Sequence, residues 1–171
     1  YIGLFGYSNG ATIQNVGVMG GSITGNSVVR GLVGGNYNNA TIRSSYSTAQ
    51  VTSKGSFAGG LTGANEAGSR IENSYATGDV TAQGTISHAG GLSGNNYGNS
   101  TILNSYATGK VEGINNIGGL VGSNTYGSRI NNVYATGEVE GINNIGGLVG
   151  YNAITSNVDG VTKASISNAY S

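Results

Sequence analysis

The 171 residues include 33 glycines and 22 asparagines but no proline, cysteine or tryptophan, and seven charges of each sign cancel to zero. Without a basic surplus there is little to neutralise phosphates, which argues against nucleic acid as a partner. No apolar run reaches the ~18 residues of a membrane span, which argues against membrane insertion, and no thiol is present for a disulfide or thiolate metal site.

The chain is built on a repeat. Gly-Leu-x-Gly begins at Gly3, Gly31, Gly60, Gly91, Gly119 and Gly147, with spacings of 28, 29, 31, 28 and 28 residues. A second motif, Ile-x-Asn-Ser-Tyr-Ala-Thr-Gly in the middle copies, follows with its first residue at Ile13, Ile42, Ile71, Ile102, Ile130 and Ile166. Residues 111–122 recur unchanged as 139–150. In chain order each copy offers three strand candidates: Leu-Val-Gly, then Ile-x-Asn-Ser-Tyr-Ala-Thr, then Val-x-Gly. All are bounded by Gly and Asn, the residues that tolerate positive φ. No stretch has a 3.6-residue apolar period long enough for a helix. Three short strands in ~28 residues, repeated in phase, predict an all-β fold: a β-solenoid of about six coils. Coils ~4.8 Å apart would stack to roughly 25–30 Å. Residues 1–171 read as one solenoid domain.

Stacking turns equivalent positions into columns. Leu4, Leu32, Leu61, Leu92, Leu120 and Leu148 form one interior file, and the Ile residues form a second. Val51, Val80, Val111 and Val139 make a third, with Ile23 equivalent in the first coil. Asn36, Asn65, Asn96, Asn124 and Asn152 follow the glycine motif. Asn15, Asn73, Asn104, Asn132 and Asn168 accompany the isoleucines, with Ser44 breaking that file. Stacked Asn amides can hydrogen-bond along the axis, as in cross-β ladders, so both files read as structural.

Tyr46, Tyr75, Tyr106, Tyr134 and Tyr170 form the most conspicuous file, with Gly17 in its first place. Simple alternation puts them on the interior face with Ile. The small residues between them suit a narrow core equally well if the chain turns a corner at Asn. Both arrangements stay open. An exposed strip would present aromatic faces to sugar rings.

Charges sit at variable positions. Asp79, Lys110 and Glu138 share a column, and Arg43 and Glu72 another, so opposite charges neighbour each other. Glu112, Glu138 and Glu140 are the only carboxylate cluster. They read as a solvated face rather than as a Ca²⁺ site or glycosidase pair. His88 has no Asp or Ser placed by motif and reads as a loop residue, so no catalytic set and no cofactor or metal site emerges. Thr48, Thr77, Thr108 and Thr136 form a file too mixed on either side for ice binding. From Ile130 to Ile166 the spacing grows to 36 residues, and the surplus at 153–163 reads as an inserted loop.

Gly-Gly-Leu-Val-Gly-x-Asn followed by Ile-x-Asn-Ser-Tyr-Ala-Thr-Gly-x-Val resembles the GLUG repeat of bacterial surface proteins. The likeness is close over 91–152, looser elsewhere, and weakest in the first coil. The resemblance implies secretion and display on bacterial cells. It points to adhesins similar to filamentous haemagglutinin, or to the repeats beside an immunoglobulin-A-cleaving metalloprotease. It brings no catalytic residue, and H-E-x-x-H is absent. Neither end reads as a polar capping coil, so neighbouring repeats or further copies stacked end to end are expected partners. The reading is a non-catalytic adhesive rod, extracellular. The alternative is a module binding glycans or host extracellular matrix through the Tyr strip and the 153–163 loop; a polysaccharide-active enzyme fits less well.

Overall fold

The computed structural model describes residues 2–26, 28–85, 88–153 and 163–171. The chain is a β-solenoid of about five turns, with no helix among the described residues. Every strand pair runs parallel, as it must when successive coils wind the same way.

Each complete coil runs through four sheets rather than the expected three. In the fifth coil the strands are Val121–Thr125, Arg129–Ala135, Val139–Glu140 and Asn143–Gly146. Their equivalents assemble four sheets that wrap the axis in turn. The fourth strand, Asn115–Gly118 and its equivalents, is the one that composition hides. Asn-Asn-Ile-Gly looks like a turn, and Asn116 and Asn144 do adopt positive φ (49° and 50°). Ile117 is nevertheless buried and pairs with Ala89 below and Ile145 above.

The expected columns stack in register. Ile13, Ile42, Ile71, Ile102, Ile130 and Ile166 pair in sequence, as do Ile23, Val51, Val80, Val111 and Val139. The leucines are linked by their backbones, each amide of Leu32, Leu61, Leu92 and Leu120 bonding the next leucine's carbonyl at 2.9–3.0 Å. Two apolar strips result. Leu32, Leu61, Leu92 and Leu120 meet Ile42, Ile71, Ile102 and Ile130 between the first two sheets. Val51, Val80 and Val111 meet Ala58, Ala89 and Ile117 between the other two. Leu4, expected inside, is 59% exposed, because no described coil covers its outer side; Leu148 at the other end is half-buried.

Glycine opens each repeat because backbone packs on backbone there. A Cβ on Gly60, Gly91 or Gly119 would lie 2.0–2.2 Å from the carbonyl oxygen of the next coil's glycine. No rearrangement of a side chain relieves such a contact, so Ala cannot stand in these places.

Candidate functional site

The second sheet carries the tyrosines, and a local backbone device decides which way they face. In an unbroken strand, Ile71 and Tyr75 share a side. Here Asn73 sits in the left-handed region at φ 50°, and Ser44, Asn104 and Asn132 do likewise at 48°, 48° and 53°. That residue drops out of the alternation, so Ile71, Ser74 and Ala76 point inward while Tyr75 turns out. Asn is the side chain that best tolerates this conformation, and Ser44 shows that the conformation rather than the amide is conserved between coils. The serines that follow repair the ladder at the kink. The hydroxyls of Ser45, Ser74 and Ser105 donate to the carbonyls two residues back at 2.8 Å, and those of Ser74 and Ser105 accept the serine amide of the coil before at 3.2 Å.

The outcome is a five-ring stack that is neither interior nor fully exposed. Tyr46, Tyr75, Tyr106 and Tyr134 are half-buried, and Tyr170 in the last coil is exposed. Successive centroids lie 5.0, 4.8, 4.8 and 5.3 Å apart, with rings within 6° of parallel. Carbon layers in contact sit ~3.5–4.0 Å apart, so these rings are slid past one another like shingles. The faces of Tyr75, Tyr106 and Tyr134 are therefore largely taken by neighbouring rings, and the open flat strip that stacking on sugars would want is not formed. Tyr46 ends the stack over Gly17, where a Cβ would lie 2.3 Å from the Tyr46 ring. Burial, then the adjoining Tyr134 and Tyr75, push the Tyr106 phenol above its ordinary value, so it stays neutral.

Beside the rings runs a parallel file of amides. Asn104 Nδ2 donates to Asn73 Oδ1 at 3.2 Å, Asn132 Nδ2 to Asn104 Oδ1 at 2.6 Å, and Asn168 to Asn131 at 3.0 Å. Between the amides and the rings lies a groove of about 250 Å³, with Ser105 and Val133 on its floor.

The other asparagine file is interior. Asn36, Asn65, Asn96 and Asn124 are buried, and each Nδ2 donates to the next Oδ1, ending on Asn152, at 2.8–2.9 Å. The same Nδ2 groups of Asn36, Asn65 and Asn124 also bond the carbonyl four residues on. Asn152 is exposed because it lies in the last coil. A buried serine file accompanies it unforeseen: Ser69, Ser100 and Ser128 accept the amides of Ala40, Ser69 and Ser100 at 3.1–3.2 Å. The signal was present, since a serine stands four residues after Asn65, Asn96 and Asn124.

The carboxylate cluster is organised around one cation. Lys110 Nζ lies 3.0 Å from Glu140, 3.6 Å from Glu112 and 3.7 Å from Glu138, and its backbone amide donates to Asp79. The hydrogen bond with Glu140 raises the lysine and lowers the glutamate from their usual values. All these groups are substantially solvated, so the pairs fix register more than they stabilise. Arg43 and Glu72 do not pair with each other as expected. Arg43 bonds Gln14, and Glu72 bonds Arg70 of its own strand at 2.6 Å. His88 lies on a strand, His88–Gly90, rather than in a loop. Its ring meets Phe57 edge-on at 5.1 Å, Nε2 accepts from Asn116 Nδ2 at 3.2 Å, and burial lowers its pKa. Of the proposed 153–163 loop, residues 154–162 lie outside the described residues.

Comparison with known proteins gives one match. The GLUG motif recurs at residues 56–81, 85–112 and 113–140, and each copy spans one turn from the fourth sheet round to the third. No curated protein and no solved structure matches the chain. Residues 56–140 are thus a GLUG-repeat region, three motifs wound as consecutive coils of the solenoid.

Proposed function

We propose that the chain is a non-catalytic structural module of an extracellular bacterial surface protein, a rigid rod that holds other parts of that protein away from the cell and takes part in attachment. The supporting observation is the continuity of its ladders. Four parallel sheets, a buried amide file and a tyrosine stack all run along one axis with few interruptions. Bending such a rod means opening hydrogen bonds in several sheets at once. Acid–base chemistry needs convergent titratable groups facing a cleft, and the one carboxylate cluster is closed on Lys110. The GLUG motif is what speaks for secretion and surface display.

The test is display of the chain on a non-adherent bacterium, beside a version lacking one coil in register, residues 91–118. Antibody labelling of intact cells and adherence to matrix-coated surfaces, both retained in the shortened rod, are the expected results. A chain that is labelled only after lysis, or that confers no adherence when displayed, would overturn the reading.

A further inference from the structure

We propose that the axial groove of the second sheet binds a neutral, extended β-1,4-linked glycan lying along the solenoid axis, one sugar to each coil. This deepens the attachment part of the proposed function by naming the chemistry recognised.

The first argument is periodicity. A polymer bound parallel to the axis meets the same side chains once per coil, at the 4.8–5.3 Å spacing of the tyrosine rings. Favourable contacts accumulate only if the polymer repeats at that interval. A peptide advances only ~3.3 Å per extended residue, so it offers no residue in step at adjacent coils and matches only at every second one. An extended chain of β-1,4-linked hexoses advances by about one coil per sugar, whereas α-1,4 linkage curls the chain out of register.

The second argument is the chemistry of the walls. No lining residue of the groove is charged, which removes the usual attraction for phosphate or uronate polymers. Asn104 spends one N–H and one lone pair on the file and Asn132 one N–H, while each amide carries two of each. The opposite wall gives one phenol hydroxyl per coil, together with ring edges left by the shingled stacking. Donors, acceptors and apolar C–H surface thus alternate at a fixed step, which is the pattern of an equatorially substituted sugar chain. The tyrosines act here through edges and hydroxyls rather than through open faces.

Calorimetry of the purified chain tests this with cellohexaose and chitohexaose, and maltohexaose as the α-linked counterpart. Either β-linked hexasaccharide should bind, with affinity rising from monosaccharide to trisaccharide and little beyond, because three tyrosines, Tyr106, Tyr134 and Tyr170, line the groove. The double variant Tyr106→Phe/Tyr134→Phe keeps the ring stack but removes two hydroxyls. Asn132→Gly keeps the left-handed backbone but removes one amide. Each should weaken binding at least threefold in a chain that stays fully folded at the assay temperature. No binding of either β-linked probe at millimolar concentration, equal binding of maltohexaose, or unaltered affinity in both variants would overturn the proposal. These experiments use purified protein, so their failure leaves the intact-cell labelling and matrix adherence of the rod reading to be judged separately.

Discussion

Two asparagine files run the length of the solenoid, and they are there for different reasons. The interior file, Asn36 to Asn124, sits in a dry corner where every amide must find partners; each Nδ2 serves the next coil, and those of Asn36, Asn65 and Asn124 also a carbonyl of their own turn. The outer file, Asn73, Asn104 and Asn132, is solvated, and its constant feature is positive φ. Substitution within the natural repeat separates the two roles. Serine at position 44 keeps the left-handed backbone and the fold of its coil is undisturbed. Serine at position 8, in register with Asn36, leaves Asn36 Oδ1 and its own hydroxyl buried without hydrogen-bond partners among the described residues. One file needs the amide, and the other needs the torsion angle.

Asn96→Ala should have the largest effect. It orphans a donor on Asn65 and an acceptor on Asn124, each costing about 1–3 kcal/mol when buried, so a loss of about 3 kcal/mol is expected. Asn96→Gly should be no better. Urea unfolding followed by tyrosine fluorescence measures both, and a variant within 1 kcal/mol of the parent would show that water replaces the missing link. The outer file should reverse this pattern. Asn104→Ala forces a Cβ-bearing residue without a polar side chain into the left-handed region, at roughly 1–2 kcal/mol. Asn104→Gly should cost less than Asn104→Ala, because glycine adopts that conformation freely. Equal losses for Ala and Gly at position 104 would mean that the amide, not the angle, matters there too.

Extending the interior file should stabilise the chain. Ser8→Asn places an amide opposite Asn36 Oδ1, and one hydrogen bond to a formerly orphaned acceptor is worth about 1 kcal/mol. An unchanged or lower urea midpoint would show that the first coil does not hold its corner tightly enough to align the new donor.

This distinction also marks how far the sequence could be read. The Leu, Ile and Val files were legible because burial demands an apolar residue at each coil, and the period alone aligns them. The direction of the tyrosines was not, since alternation assumes an unbroken strand and a single left-handed residue at Asn73, Asn104 or Asn132 reverses the phase. The same device concealed the fourth strand, where Asn116 looks like a turn residue yet precedes the buried Ile117. Arg43 and Glu72 were correctly placed as neighbours, but long side chains choose among several partners, and Gln14 and Arg70 lie as close. The groove was illegible for a further reason. It belongs to no single motif, arising where the amides of one kink face the rings of the same strand three coils deep.

A third amide file shows what happens when such a ladder ends on a group that titrates. Asn144 Nδ2 donates to Asn116 Oδ1 at 2.7 Å, and Asn116 Nδ2 donates in turn to His88 Nε2. The direction of both bonds requires that Nε2 be unprotonated. A proton there makes His88 a donor, so the Asn116 amide must flip to meet it, and the flip sets two N–H groups of Asn116 and Asn144 against each other. Burial disfavours the charged ring as well, and the folded-state pKa lies below the ordinary 6.5. The unfolded chain therefore takes up the proton first as the pH drops. Stability is fully present above about pH 6.5 and is lost as the pH falls from there through the lowered value, following the excess of protons bound by the unfolded state. His88→Gln keeps an acceptor for Asn116 and cannot titrate, so its melting temperature should lose the acid-side decline that the parent shows between pH 7 and pH 5. A decline of equal size in both proteins would show that the acid sensitivity does not come from His88. The effect should be the smallest of these, because Asn144 at the end of the file is exposed and water can meet the amide that the flip disturbs.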